Sequence, residues 1–342
     1  MLSKFYKKLK EGSVQCLTCA NYCLLKDGQI GKCGVRQNRS TKLYFLPGKT
    51  IATQHLDPIE KKPLFHFLPG SLALSMGGWG CNFRCSFCQN WKLSQAPQSY
   101  TSSGIKKFPW GGKLDEDTII NYCLKNNVPS IAYTYNEPTV YLDAYLGLIK
   151  KARKQGIKNI WVTNGYLSNE SFKILKPYLD VVNIDLKGYT ENFYQNIVGA
   201  HLEVVKENIK KFVKAGIWTE ITTLIIPGLN DDSKELSQIA NFIASISINI
   251  PWHLSAFFPA YKLNSLKSTS SEIIQKGYDI GKRAGLHYVY TGNLAPSLSL
   301  ENTFCPQCHF NLITRSGYVV LTNNILNNCC PNCGYKIAGI WK

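Results

Sequence analysis

Twelve of the thirteen cysteines fall into three groups, and each group has its own chemistry. The central group lies in "GWGCNFRCSFCQNWKLSQ", where Cys81, Cys85 and Cys88 follow the spacing C-x3-C-x2-C. Three thiolates around one loop would leave a fourth metal of a cubane cluster without a protein ligand. An open coordination position marks a catalytic metal centre, whereas a closed one marks a structural site. Gly77, Gly78 and Gly80 precede the loop and are expected to let the backbone approach a bulky inorganic cofactor. The C-terminal group, "CPQC…CPNC", pairs Cys305 and Cys308 with Cys330 and Cys333. Two such turns predict a tetrahedral four-sulfur site suited to zinc, with His309 and Cys329 as substitute ligands. The N-terminal group, Cys16, Cys19, Cys23 and Cys33, has the spacing C-x2-C-x3-C-x9-C. Zinc and an auxiliary iron–sulfur cluster both use four thiolates, so spacing leaves the metal open, and packed reduced thiols are the alternative. Cys123, alone in "IINYCLKNN", reads as a core residue.

Such ligands need elements to hold them. Seven β-rich runs, "SLALSM", "SIAYTY", "NIWVTN", "VVNIDLK", "EITTLIIP", "HLSAFFP" and "HYVYTGN", alternate with helical stretches such as 139–154 and 203–214. Asp232 to Glu235 and Thr269 to Glu272 have the spacing of capping boxes before apolar-periodic segments. Alternation of this kind predicts an α/β fold with a partial or full parallel (β/α) barrel over 51–298. Small cysteine-rich modules over 1–50 and 299–342 would flank it. The polar residues that end the runs are the site candidates, because the C-terminal ends of barrel strands carry the active site. They are Asn136 and Glu137, Thr163 and Asn164, Asp185 and Lys187, Asn230 and Asp231, and Asn293. Turn formation is the ordinary role of any one of them. His253 opens the sixth run and is evenly divided between packing and function.

Composition bounds the rest. The 342 residues are 44% hydrophobic and 18% charged, which suits a globular chain with a substantial core. The formal net charge of +17 favours polyanionic partners, including nucleic acid. Much of it sits in runs such as "LIKKARKQGIK" and "KENIKKFVKAG", which read as solvated helix faces. The basic N-terminal stretch has no secretory signature, and no apolar run approaches the roughly 20 residues of a membrane span. A cytoplasmic location is therefore expected, and there clustered cysteines argue for metal over disulfides.

"CNFRCSFC" resembles the cluster motif of radical S-adenosylmethionine (SAM) enzymes, with Phe87 in the aromatic position before the last cysteine. "DPIEKKPLFHFLPGS", "YTYNEPTVY", "NIDLKGY", "IPGLND", "YVYTGN" and the flanking cysteine groups narrow this. Together they resemble the radical-SAM member of the AmmeMemoRadiSam system, a group similar to pyruvate formate-lyase activating enzymes. One departure is Ala20-Asn21, where that group has a Pro-His-like pair. The resemblance implies a [4Fe-4S] cluster on Cys81, Cys85 and Cys88 with SAM chelating the fourth iron. Reductive cleavage would then give a 5′-deoxyadenosyl radical that takes hydrogen from an unidentified substrate. It further implies that Glu137 accepts from the methionine ammonium, that Thr163 and Asn164 meet the ribose or carboxylate, and that Phe87 and the Asn230 loop lie by the adenine. Asn136 and Asn293 join the cofactor contacts, Asp185, Lys187 and His253 are candidates for substrate or SAM, and His66 is open between cover of the cluster and structural packing. A flavodoxin or ferredoxin would supply the electron, and Memo-like and AMMECR-like proteins would be partners. A glycyl-radical activating enzyme is the alternative, and a basic zinc-ribbon nucleic-acid binder or RNA-modifying enzyme the minor one.

Overall fold

Each of the seven β-rich runs forms a strand. They are β1 (Leu72–Gly77), β2 (Ser130–Tyr133), β3 (Lys158–Thr163), β4 (Val181–Asp185), β5 (Trp218–Ile225), β6 (Trp252–Ala256) and β7 (Val289–Gly292). The structure, a computed structural model, describes residues 1–95, 97, 108, 110–295 and 300–342. The expected boundary at 298–299 lies outside the described residues. The chain divides into two units. Residues 1–56, 73–180 and 198–200 form the first, and 57–72, 181–197 and 201–342 form the second.

In the first unit β2 lies between β1 and β3 and is parallel to both, with Ser130 opposite Ala73 and Lys158. In the second, β4 to β7 run parallel in sequence order. Every residue of β2 is buried, as are all but the last of β4, the pattern of parallel strands covered on both faces. Parallel strands need crossovers, and these are helical. They include α1 (Glu116–Lys125), α2 (Leu142–Lys154), α3 (Asn169–Leu175), α4 (Leu202–Lys214), α5 (Ser233–Ile246) and α6 (Ser271–Arg283).

The helices follow the apolar period. Helix α2 buries Ala144, Tyr145, Leu148 and Ala152 and leaves Lys150, Arg153 and Lys154 exposed. Helix α4 buries Val205, Ile209 and Phe212 and leaves Lys210 and Lys214 exposed. The basic runs are thus solvated faces, as their spacing predicts. Cys123 is buried on α1.

Two helix starts differ from expectation or refine it. Asp232 caps α5, accepting from the Lys234 and Glu235 amides at 2.9 Å. Thr269 does not cap α6, whose N-cap is Ser270. Its hydroxyl instead donates to the Ile225 carbonyl and accepts from the Phe257 amide. No helix among the described residues is long and apolar enough to cross a membrane.

Each terminal stretch is an antiparallel module. In the first unit, short strands at Tyr6–Lys8, Val14–Cys16 and Leu24–Leu25 and a hairpin of Arg36–Arg39 with Lys42–Phe45 precede β1. Val14, Cys16, Leu25 and Leu43 form the core there. In the second unit, strands Thr303–Phe304, Asn311–Ser316 and Val319–Asn323 follow β7. Cys305, Leu312, Ile313, Cys330 and Ile337 pack with Phe65, Tyr288 and Tyr290.

Candidate active site

Strand β1 delivers the chain directly into the central cysteine loop. Cys81 and Cys85 are buried and Cys88 is half-buried, and the Cys88 amide donates to the Cys85 carbonyl to close the turn. The glycines before the loop are required by protein packing. A Cβ on Gly78 would lie 2.3 Å from the Tyr141 ring, and one on Gly80 2.3 Å from the Cys33 carbonyl oxygen. Gly80 also has φ +79°, a conformation that L side chains rarely adopt. Asn136, just past β2, brackets this stretch. Its Oδ1 accepts from the Gly78 amide at 3.1 Å and its Nδ2 donates to the Gly80 carbonyl at 2.7 Å.

The cluster thiols have donors around them. The Phe83 amide lies 3.4 Å from Cys81 Sγ, and Asn164 Nδ2 lies 3.8 Å from it. The same Asn164 Nδ2 donates to Asn82 Oδ1 at 2.7 Å. Cys88 Sγ is 2.9 Å from Ser94 Oγ. Burial, then the neighbouring Cys85, pushes the Cys81 thiol well above its ordinary range. A thiol so placed ionises only with compensating positive charge, which a metal supplies. Three cysteines on one loop, with N–H groups at Cys81 Sγ and a hydroxyl at Cys88 Sγ, fit the ligand set and surroundings of an iron–sulfur cluster. Phe87 is buried between the second and third ligands.

Glu137 ties the ends of β2 and β3 together. Its buried carboxylate accepts from the Thr139 amide at 3.0 Å, from Thr163 Oγ1 at 2.9 Å and from the Asn164 amide at 2.8 Å. Burial raises its pKa, and these hydrogen bonds oppose the rise. The structure thus brings Cys81, Asn136, Glu137, Thr163 and Asn164 together in one network.

The other candidates lie in the second unit. Asp185 and Lys187 form an ion pair of 2.8 Å at the end of β4. Asn230 is fully buried and folds the loop after β5, accepting from the Ile226 amide and donating to the Lys187 and Leu224 carbonyls. Asn293 is exposed after β7 and donates to Ser255 Oγ and the Ala256 carbonyl. His253 sits near the start of β6, and its Nε2 is 2.6 Å from Glu220 Oε2. Burial would raise Glu220, but His253, His66 and the Phe65 amide hold it below the ordinary carboxylate range. His66 is buried too, with Nδ1 2.7 Å from the Ala338 carbonyl and Nε2 2.6 Å from Tyr290 Oη. Both histidines are thus committed to one internal polar network, which gives His66 the packing role that the sequence left open beside cover of the cluster.

The terminal cysteines form two clusters. Cys305, Cys308, Cys330 and Cys333 have their sulfurs within 4.8 Å of one another. Asn332 Nδ2, 3.4 Å away, and the Phe310 amide lower the Cys308 thiol to about 6. At the N-terminus, Cys16, Cys19, Cys23 and Cys33 line one small cavity. Burial raises the Cys19 thiol, and Cys16 and Cys33 raise it further. None of the thirteen cysteines forms a disulfide.

The model of the radical SAM superfamily matches residues 78–241. The chain belongs to the radical SAM superfamily. An uncharacterized protein of Methanocaldococcus jannaschii is 38% identical over 338 residues, covering 97% of each chain. The pyruvate formate-lyase 1-activating enzyme of Escherichia coli K12 is 21% identical over 58% of this chain and 83% of its own. Among solved structures, a radical SAM methyltransferase from Sphaerobacter thermophilus superposes with a TM-score of 0.50 at 13% identity, covering 66% of this chain and 67% of that one. Superfamily membership implies a radical-based enzyme and, with it, a [4Fe-4S] cluster and SAM.

Residues that the motif spacing did not single out complete the site. Asn82 receives Asn164 and donates to the Tyr166 carbonyl. Asn21 Nδ2 donates to the Asn82 carbonyl at 3.0 Å and lies 3.7 Å from Cys19 Sγ. Asn82 stands inside the motif, but its role depends on β3, far along the chain.

Proposed function

We propose that the chain is a radical SAM enzyme whose cluster is held by Cys81, Cys85 and Cys88. The observation that carries this is a three-thiol loop at the end of β1, with N–H groups on Cys81 Sγ and the polar ends of β2 and β3 locked beside it. When bound, a [4Fe-4S] cluster with SAM would supply one-electron reductive cleavage of the sulfonium and, through it, hydrogen-atom abstraction from substrate. The protein's part is to place, orient and shield. Asn136 fixes the entry to the loop, and Asn164 and the Phe83 amide donate toward Cys81 Sγ. Glu137 holds Thr163 and Asn164 in register, and its carboxylate edge is the acceptor for the methionine ammonium. Phe87 screens the cluster from water.

The similarity to the E. coli activating enzyme supports activating-enzyme-like chemistry, with hydrogen abstraction from a substrate that the family likeness leaves unnamed. Membership of the AmmeMemoRadiSam system rests on the motifs quoted above, and Memo-like and AMMECR-like partners follow from it. A flavodoxin- or ferredoxin-type protein is the fitting electron source.

Anaerobically reconstituted protein given SAM and dithionite should release 5′-deoxyadenosine, and Cys85→Ala should abolish the release while terminal metal stays bound. Undiminished cleavage by Cys85→Ala would refute the ligand assignment.

A further inference from the structure

The proposed chemistry leaves the N-terminal cysteines unused, and their site stands independently of it. Cys16, Cys19 and Cys33 are buried and Cys23 is half-buried. With Arg36 and four other residues they line one small cavity. Among the described residues, the group whose ligand atoms all lie within 4.8 Å of one another is the C-terminal four, and no three of the N-terminal sulfurs form such a group. A zinc–sulfur bond is about 2.3 Å, so the N-terminal thiols are set wider than one zinc ion requires.

The C-terminal cluster shows the alternative within the same chain. Sulfurs on one tetrahedral zinc lie about 3.8 Å apart, by geometry from the bond length. Cys305 and Cys333 are 3.6 Å apart there, and Cys308 and Cys330 are 3.7 Å apart.

Arg36 adds a second, independent observation. It is 1% exposed, and its Nη1 and Nη2 bind Asp143, Ser3 and the Val140 carbonyl. Its buried Nε has no hydrogen-bond partner. Its charge is paired with Asp143, but an unspent buried N–H beside four thiols suits a centre whose ionised cysteines accept hydrogen bonds.

We infer that Cys16, Cys19, Cys23 and Cys33 hold a polynuclear iron–sulfur cluster of cubane size, and that the C-terminal cysteines hold the single-ion site. Each thiol gives up its proton on binding, and all four sulfurs go to iron, so this cluster is closed where the central one is open. Asn21 joins the two loops: its Nδ2 donates to the Asn82 carbonyl, between the first two central ligands, and also lies 3.7 Å from Cys19 Sγ.

Metal analysis of the full chain, reconstituted anaerobically with iron and sulfide, reads this directly. About eight irons per chain are expected, roughly four for each of two cubanes. About four irons with two zinc equivalents would overturn the inference, and this count needs no variant. In a Cys81→Ala/Cys85→Ala/Cys88→Ala variant, about four irons and their visible absorption should persist. A folded variant with no iron would overturn the inference. Four irons in the unmodified chain that survive in the variant would uphold it and refute the central-loop assignment instead.

Discussion

The two four-cysteine modules use the same ligands to different ends. The C-terminal module draws its sulfurs to 3.6 and 3.7 Å, with Cys333 exposed and Cys308 half-buried. It packs on Phe65, Tyr288 and Tyr290, so its ion site braces one flank of the second unit. The N-terminal module keeps its sulfurs around a cavity and presses against the central loop, with the Cys33 carbonyl at Gly80 and Asn21 at Asn82. Ligand type alone does not separate a brace from a neighbour of the reactive centre; sulfur spacing and what each loop touches do.

Altering either module tests this contrast. The largest effect is expected from Cys308→Ser/Cys330→Ser. Losing a closed four-thiolate ion removes on the order of 10 kcal/mol of binding energy that is also folding energy. One metal equivalent should disappear, and protease should cut within 300–342 before 1–56. A variant with unchanged metal content and protease pattern would refute the brace.

Gly80→Ala should cost about 3 kcal/mol or more, from left-handed strain together with the clash on Cys33. Denaturant unfolding measures the cost, and central iron occupancy should fall with it. A wild-type midpoint would show that the two loops are not in contact.

The second unit should weaken in acid through His66. Burial lowers its pKa to about 4, with Glu220 opposing, against an ordinary value of 6.5. Between these values the unfolded chain binds the proton and the folded chain does not. Stability is therefore complete above about pH 6.5 and is lost as pH falls toward 4, by roughly 3 kcal/mol. His66→Gln should flatten this part of the stability–pH curve, although it will lower the plateau. A slope unaltered by the substitution would assign the acid sensitivity elsewhere.

Asn21→Ala is expected to have the smallest effect, about 1 kcal/mol, because its one short hydrogen bond is the neutral one to the Asn82 carbonyl. It should be seen as a changed spectrum of the N-terminal cluster more readily than as a change in melting.

Much of this was legible in the sequence where local patterns decide the outcome. Runs such as "VVNIDLK" are apolar enough to be buried on both faces, so all seven strands could be read directly. The helix faces and the Asp232 cap followed from spacing. Less was legible where a distant partner decides. Thr269 looks like a cap, but Ile225 and Phe257 claim its hydroxyl. The need for glycine before the loop was legible, but not that Tyr141 and Cys33 fill the Cβ positions. His66 stayed open between cover and packing because Ala338 and Tyr290, which hold its ring, are far along the chain. Cysteine spacing marked both terminal sites but not how far apart their sulfurs stand, which depends on the hairpins that carry them.

The approach of Gly80 to Cys33 has a genetic consequence. Residues 33 and 80 are distant in sequence yet meet at 2.3 Å from the position of a missing Cβ, with Val35 also in reach. Substitutions in direct contact do not add. A larger residue at 80 should be tolerated only alongside a compensating change near 33–35, so a lineage would have to alter the two loops jointly.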